Sequence, residues 1–143
     1  MREGFTIIEM IMVVSMVAVI MTFSTPFLSS YMVRNNWIVA SDRVWSEIVK
    51  AKDMAMSGRV ISGSKVWGVC VTSGKVRLFN GSCASPNLSE DYVIPNGVTV
   101  SGLTSVTFDN LRGEPSSVTT VSVVSSHGTK TITVGAAGVI NTN

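Results

Sequence analysis

At 143 residues the chain has room for one domain, or for one domain with an appendage. Hydrophobic residues make up 45% of it against 14% charged, and the mean hydropathy of +0.40 is too high for an ordinary soluble domain of this length. The formal net charge is +2, and from Gly58 onward six basic residues face four acidic ones, an excess too small and too dispersed to form a nucleic-acid-binding patch.

The apolar excess is concentrated at the N-terminus. No charged side chain occurs between Glu9 and Arg34, and the run Met10–Leu28 is long enough, at 1.5 Å per residue, to cross roughly 30 Å of hydrocarbon. A secretory signal peptide would need a basic n-region and a small-x-small cleavage site. Only Arg2 is basic, and Pro26-Phe27 stands where that site would fall. A plain membrane anchor fits the hydropathy but leaves Glu9 unexplained, because a carboxylate at the edge of a span is retained for a partner. Cleavage after Gly4 would supply one: a free ammonium on Phe5, four residues before Glu9. In a stack of parallel, staggered helices, one subunit's carboxylate could then meet its neighbour's ammonium.

Within the same run, Pro26 removes the backbone bond to Thr22 and predicts a kink at a cost of about 3 kcal/mol. The methionines Met10, Met12, Met16, Met21 and Met32 suit a helix that meets first lipid and then other helices, though they are equally ordinary apolar helix formers.

From about Ser30 to Ser57 apolar residues recur at three- and four-residue spacing: Trp37/Ile38, Ser41, Val44/Trp45, Ile48/Val49, Ala51 and Ala55. Asp42, Arg43, Glu47, Lys50 and Asp53 fall largely off the stripe. This predicts an amphipathic helix ended by Gly58, with Trp37 and Trp45 as core or subunit-contact residues.

Period-two alternation then predicts strands at Lys65–Thr72, Lys75–Phe79, Tyr92–Ile94, Val98–Ser101, Ser105–Phe108, Thr119–Ser125, Lys130–Val134 and Val139–Ile140. Turn signals such as Ser73-Gly74, Pro95-Asn96-Gly97 and His127-Gly128 separate them. The predicted fold class is α+β: a long N-terminal helix, half membrane-spanning and half amphipathic, packed on a small antiparallel β head. Four segments follow: a leader (1–4), a transmembrane and assembly half-helix (5–29), an amphipathic half-helix (30–57) and the β-rich head (58–143).

The sequence Gly4-Phe5-Thr6-Ile7-Ile8-Glu9 opening an apolar helix resembles the processing motif of type IV prepilins and pseudopilins. That resemblance implies cleavage after Gly4 by a prepilin peptidase, N-methylation of Phe5, and use of Glu9 in docking into a growing filament. It places Pro26 where many pilins carry a proline, and it makes local melting there the counterpart of a fixed kink. Met-Arg-Glu-Gly is at the short end of such leaders. The segment Val106-Thr-Phe-Asp-Asn-Leu-Arg-Gly113, with the later run Ile132-Thr-Val-Gly-Ala-Ala-Gly-Val-Ile140, is similar to the C-terminal half of GspH/FimT-type minor pilins and minor pseudopilins. No acidic residue follows Glu114, so the calcium site of major pseudopilins has no counterpart. Both cysteines precede residue 84, unlike the C-terminal disulfide loop of many major pilins.

The expected function is therefore that of a structural minor subunit of a type IV pilus or type II secretion filament. Its implied partners are other pilin or pseudopilin subunits, the prepilin peptidase and an inner-membrane assembly platform. The expected location is a single-pass membrane protein with a cytoplasmic N-terminus and the head outside, then a periplasmic or cell-surface filament. The alternative is a minor pilin whose head is a binding module for DNA uptake or adhesion through the 80–90 loop. A tail without Lys or Arg after Lys130 argues against DNA.

Cys70 and Cys83 form a disulfide if the head lies outside the cytoplasm, worth roughly 3 kcal/mol by loop closure; the alternative is two reduced thiols. Only His127 could join them on a metal, so no metal site or cofactor is expected. His127 itself reads as a turn residue, Glu90-Asp91 as solvated loop charges, and Asn80 and Asn87 as chance matches to a glycosylation pattern. No serine has a base or an elbow motif, and the chain is not expected to be an enzyme.

Overall fold

The computed structural model describes residues 6–143, with the side chains of 23–27 excepted. The expectations placed on Gly4 and Phe5 thus lie outside the described residues, as does the side chain of Pro26, whose backbone position falls within the first helix. Among the described residues one helix, α1 (Ile7–Met56), precedes eight strands: β1 (Trp67–Thr72), β2 (Lys75–Gly81), β3 (Pro86–Val93), β4 (Val98–Ser101), β5 (Ser105–Phe108), β6 (Thr119–Ser125), β7 (Gly128–Val134) and β8 (Ile140–Thr142). The class is α+β with two four-stranded antiparallel sheets, ordered β3-β2-β1-β5 and β4-β6-β7-β8. By contacts the chain divides into two units, Met1–Met32 and Val33–Asn143.

In the second unit, the helix buries Ala40, Ser41, Val44, Glu47, Ile48, Ala51 and Ala55, a stripe at three- and four-residue spacing. Both sheets close on it. Register puts Trp67, Val69, Leu78, Val106 and Phe108 on the helix side of the first sheet. Val121, Ile132 and Val134 do the same in the second, and all of these join one core. Trp37 ties helix to sheet by donating from Nε1–H to Val123 O at 3.0 Å. The stripe departs from expectation at Trp45, which is 40% exposed, and at Glu47, which is 1% exposed and lies within it.

The helix ends at Met56 as its spacing and Gly58 predict. Gly58 takes a φ of +67°, and its N–H donates to Ala55 O at 3.1 Å. The Phe108–Gly113 segment supplies a second cap, with Leu111 N–H donating to the same Ala55 carbonyl at 3.1 Å.

Hairpin chemistry explains most strand boundaries. Ser73 (φ +48°) and Gly74 (φ +73°) form the two-residue β1–β2 turn, where two positive φ values match the strand twist. The main correction concerns β3. Residues 86–91, read from the sequence as loop, are strand, paired to β2 from Gly81↔Pro86 to Lys75↔Val93 with an irregularity at Asn80/Gly81.

β1 is buried on both faces. Away from the helix, Gly68 faces Phe79 and Cys70 faces Arg77. Phe79 is 1% exposed yet stands outside the main core. The Cys70–Cys83 disulfide draws the β2–β3 loop over this side, and Arg77 Nη1–H donates to Cys83 O at 3.3 Å. The head thus has a second, smaller buried layer beneath a covalently held loop.

Candidate functional site: an apolar helix and a charged seam

The described part of the N-terminal unit is an apolar helix with exposed side chains. Ile7, Ile8, Met10, Ile11, Met16, Ile20 and Met21 are each more than half exposed, and they point to every side of the axis. A helix apolar all round belongs in lipid or among other helices. Two of its hydroxyls are turned onto the helix backbone, Ser15 Oγ–H donating to Met12 O and Thr22 Oγ1–H to Ala18 O, both at 2.9 Å. That arrangement suits surroundings without water.

Glu9 stands in the first turn, where the helix dipole favours a carboxylate. Thr6 precedes the helix and its carbonyl accepts from Glu9 N–H at 3.1 Å. No cation among the described residues pairs with Glu9. Among the described residues no helix is long and apolar enough to cross a membrane. The unbroken described stretch 7–22 rises about 24 Å, short of the ~30 Å hydrocarbon core.

In the head, a seam of charges joins the helix to β3. Arg43 Nε meets Glu47 Oε1 at 3.0 Å, and its Nη2 reaches Glu90 Oε1 at 3.4 Å. Lys50 pairs with the other oxygen of Glu90. The Arg43 guanidinium also lies 6.0 Å from the centroid of the Tyr92 ring. On the opposite face of β3, Arg77 grips Asp91 with two bonds of 2.7 and 2.9 Å, and Lys75 stands 3.9 Å away. The adjacent carboxylates Glu90 and Asp91 are therefore strand residues on opposite faces, each paired.

The hydrogen bond from Lys50 holds the Glu90 carboxyl below the usual carboxylate range, and the Arg77 hydrogen bond does the same for Asp91. Glu47 goes the other way. Burial pushes its carboxyl up, against the pull of Arg43, and its Oε2 meets no donor among the described residues. Periodicity alone put Glu47 off the apolar stripe; its four-residue offset from Arg43 was the available sign of a partnered, buried charge.

A raised folded pKa means that stability falls as pH rises from the unfolded value, about 4.3, through the folded one. Glu47→Gln keeps an acceptor for Arg43 and removes the buried charge. It is expected to melt a few degrees above the parent at pH 7, with the gap closing below pH ~4. Thermal scans across that range check this, and a variant less stable than the parent at pH 7 would show the ion pair outweighing burial.

The remaining sequence candidates take ordinary places. His127 sits in the two-residue β6–β7 turn. Asn80 is buried and its Nδ2–H₂ donates to Ser64 O and Val66 O at 3.2 and 3.0 Å, which closes it to glycosylation, while Asn87 Nδ2–H donates to Asn80 Oδ1 at 3.3 Å. Lys130 is spent on Asp42 at 2.7 Å, and Lys52 donates to Gly138 O at 2.9 Å. Exposed Arg34, Lys65 and Arg112 have no such partner among the described residues, and they are far apart in sequence. Among the described residues no group of three or more His, Cys, Asp or Glu could hold a metal ion. No family model, curated protein or solved structure matches the chain.

Proposed function

We propose that the chain is a non-catalytic filament subunit of the type IV pilin class, a minor pilin or minor pseudopilin of a pilus or type II secretion machine. It enters the membrane with its N-terminus cytoplasmic and its head outside, and loses residues 1–4 to a prepilin peptidase. An inner-membrane assembly platform then passes it into a filament by packing of its apolar helix. The observation that carries this reading is one carboxylate, Glu9, in the first turn of a helix whose apolar side chains are exposed on every side, directly after Gly4-Phe5. Such a helix needs neighbours, and such a carboxylate needs a cation; a neighbour's Phe5 ammonium would satisfy both at once. The α+β head on the same helix is consistent with the class.

The test is intact mass and N-terminal peptide mapping of the protein recovered from its native membrane, beside Glu9→Ala. The expected result is a chain starting at methylated Phe5. The variant should be processed like the parent but depleted at least about tenfold from sheared filaments, as loss of one member of a desolvated pair predicts. A chain that keeps Arg2 and Glu3 overturns the processing step, and a variant that assembles normally overturns the role of Glu9.

A further inference from the structure

Sheet edges are where a β protein is open to other chains, and natural folds shorten, cover or charge them. Of the four sheet edges in the head, three are managed this way. β4 has four residues and β8 three. β5 is flanked by a Phe108–Pro115 bridge, with Ser116 N–H donating to Thr107 O at 2.8 Å and Thr107 N–H to Ser116 Oγ at 3.3 Å.

β3 is different. With eight residues it is the longest described strand, and it lies at the outside of its sheet. Ile94 N–H donates to Gly74 O at 3.0 Å. By alternation along an antiparallel pair, Tyr92, Glu90 and Leu88 turn their backbone groups to β2, whereas Ser89, Asp91 and Val93 turn theirs outward. None of these outward groups meets a backbone or side-chain partner among the described residues. The strand's charges do not guard the edge, because Glu90 is engaged by Lys50 and Arg43, and Asp91 by Arg77.

Against the helix side of β3 lies a crevice of about 190 Å³. Met54, Trp67, Leu78 and Leu88 give it an apolar wall, and the Lys50–Glu90 pair and Arg59 supply its polar part. Trp67 is not free to offer a donor, since its Nε1–H is bonded to Arg59 O at 2.7 Å. The Arg59 guanidinium donates only to Met54 Sδ, at 3.7 Å, and has no counter-ion among the described residues. The crevice therefore combines an apolar wall with one uncompensated positive charge.

We propose that β3 is a docking edge: an extended segment of a partner polypeptide adds as a fifth strand and seats one apolar side chain, flanked by a carboxylate, in the crevice beside Arg59. Main-chain bonds to Ser89, Asp91 and Val93 would supply affinity, and the crevice specificity. The edge would serve in this way in a filament or in an isolated membrane anchor alike.

The test uses the full chain in detergent micelles and a fluorescent octapeptide of alternating threonine and valine with a central leucine–glutamate pair, read by anisotropy. Saturable binding is expected, weakened at least about tenfold by Ser89→Pro, which removes an outward N–H at a position where an edge strand tolerates proline. On the unaltered protein, N-methylation of one alternating set of peptide amides should abolish binding while the other set is tolerated. Exchanging the peptide glutamate for lysine should weaken binding several-fold, and Arg59→Ala should erase that difference. Absence of binding, or equal binding by both N-methylated peptides, overturns the proposal. So does self-association lost in Ser89→Pro without peptide binding, since it assigns the edge to a second copy of this chain.

Discussion

Exchanging Gly68 for valine is expected to destabilise the head by roughly 3 kcal/mol or more, a large share of the 5–15 kcal/mol typical of a domain. Gly68 is the second residue of β1, the strand flanked by β2 and β5, and lies between Phe79 of β2 and Thr107 of β5. A Cβ built there would stand 2.5 Å from Val106 O, 2.7 Å from Phe79 Cζ and 3.0 Å from Thr107 Cγ2. None of these neighbours can retreat cheaply. The Val106 carbonyl belongs to β5 in the ladder with β1, and Phe79 is enclosed. Overpacking usually costs 1–3 kcal/mol, and two added methyl groups beyond an already blocked Cβ place this case at or above the upper end. Near-UV circular dichroism during thermal unfolding of the full chain in detergent reads the effect, with Gly68→Ala falling between valine and the parent. A valine variant that melts with the parent would mean that β1 and β5 can part without loss.

Removal of the disulfide has an effect of similar size by a different route. Cys70 and Cys83 are separated by 13 positions, and their Cα atoms lie 6.3 Å apart. Closing a ring of that size restricts the unfolded chain by about 3 kcal/mol. Converted through the melting entropy of a domain of about a hundred residues, Cys70→Ala with Cys83→Ser should lower Tm by more than about 10 °C. The parent in reductant should fall to the same value, and reductant should leave the double variant unchanged. Phe79 sharpens the expectation, because the loop held by Cys83 lies on its side of the sheet and its release would admit water to an aromatic outside the main core. Equal melting of parent and variant would show that the loop stays seated without the covalent bond.

Much of this architecture was legible in the residues. β4, β5 and β6 match their expected bounds because apolar and hydroxyl residues alternate within them and turn residues follow. The helix stripe was readable for the same reason at a period near 3.6. The first six residues of β3 were not, because Pro86, Asn87, Ser89, Glu90 and Asp91 read as a polar turn. An edge strand buries little, so it needs few apolar residues, and its helix-side residue Glu90 is held by ion pairs that leave no mark on hydropathy. Glu47 and Trp45 exchanged roles for a related reason: patterning reads polarity, whereas burial here follows the helix face that the two sheets cover and the nearby Arg43 that pairs with Glu47. The second buried layer was out of reach, since it depends on which residue faces Gly68. Of the candidate assembly site, the residue types at Gly4, Phe5 and Glu9 carried the whole signal, and only Glu9 falls among the described residues.

The order in which the strands are used has a further consequence. Consecutive strands β4 and β5 belong to different sheets, and β6 returns to the sheet of β4. The first sheet therefore cannot be completed until the chain has visited the second, and the second begins before the first has its last strand. Neither sheet is a separable module that could be deleted, duplicated or transplanted, and both share one helix face. Variation in such a head is channelled into its loops and into the length of its edges, while the woven interior must be inherited whole.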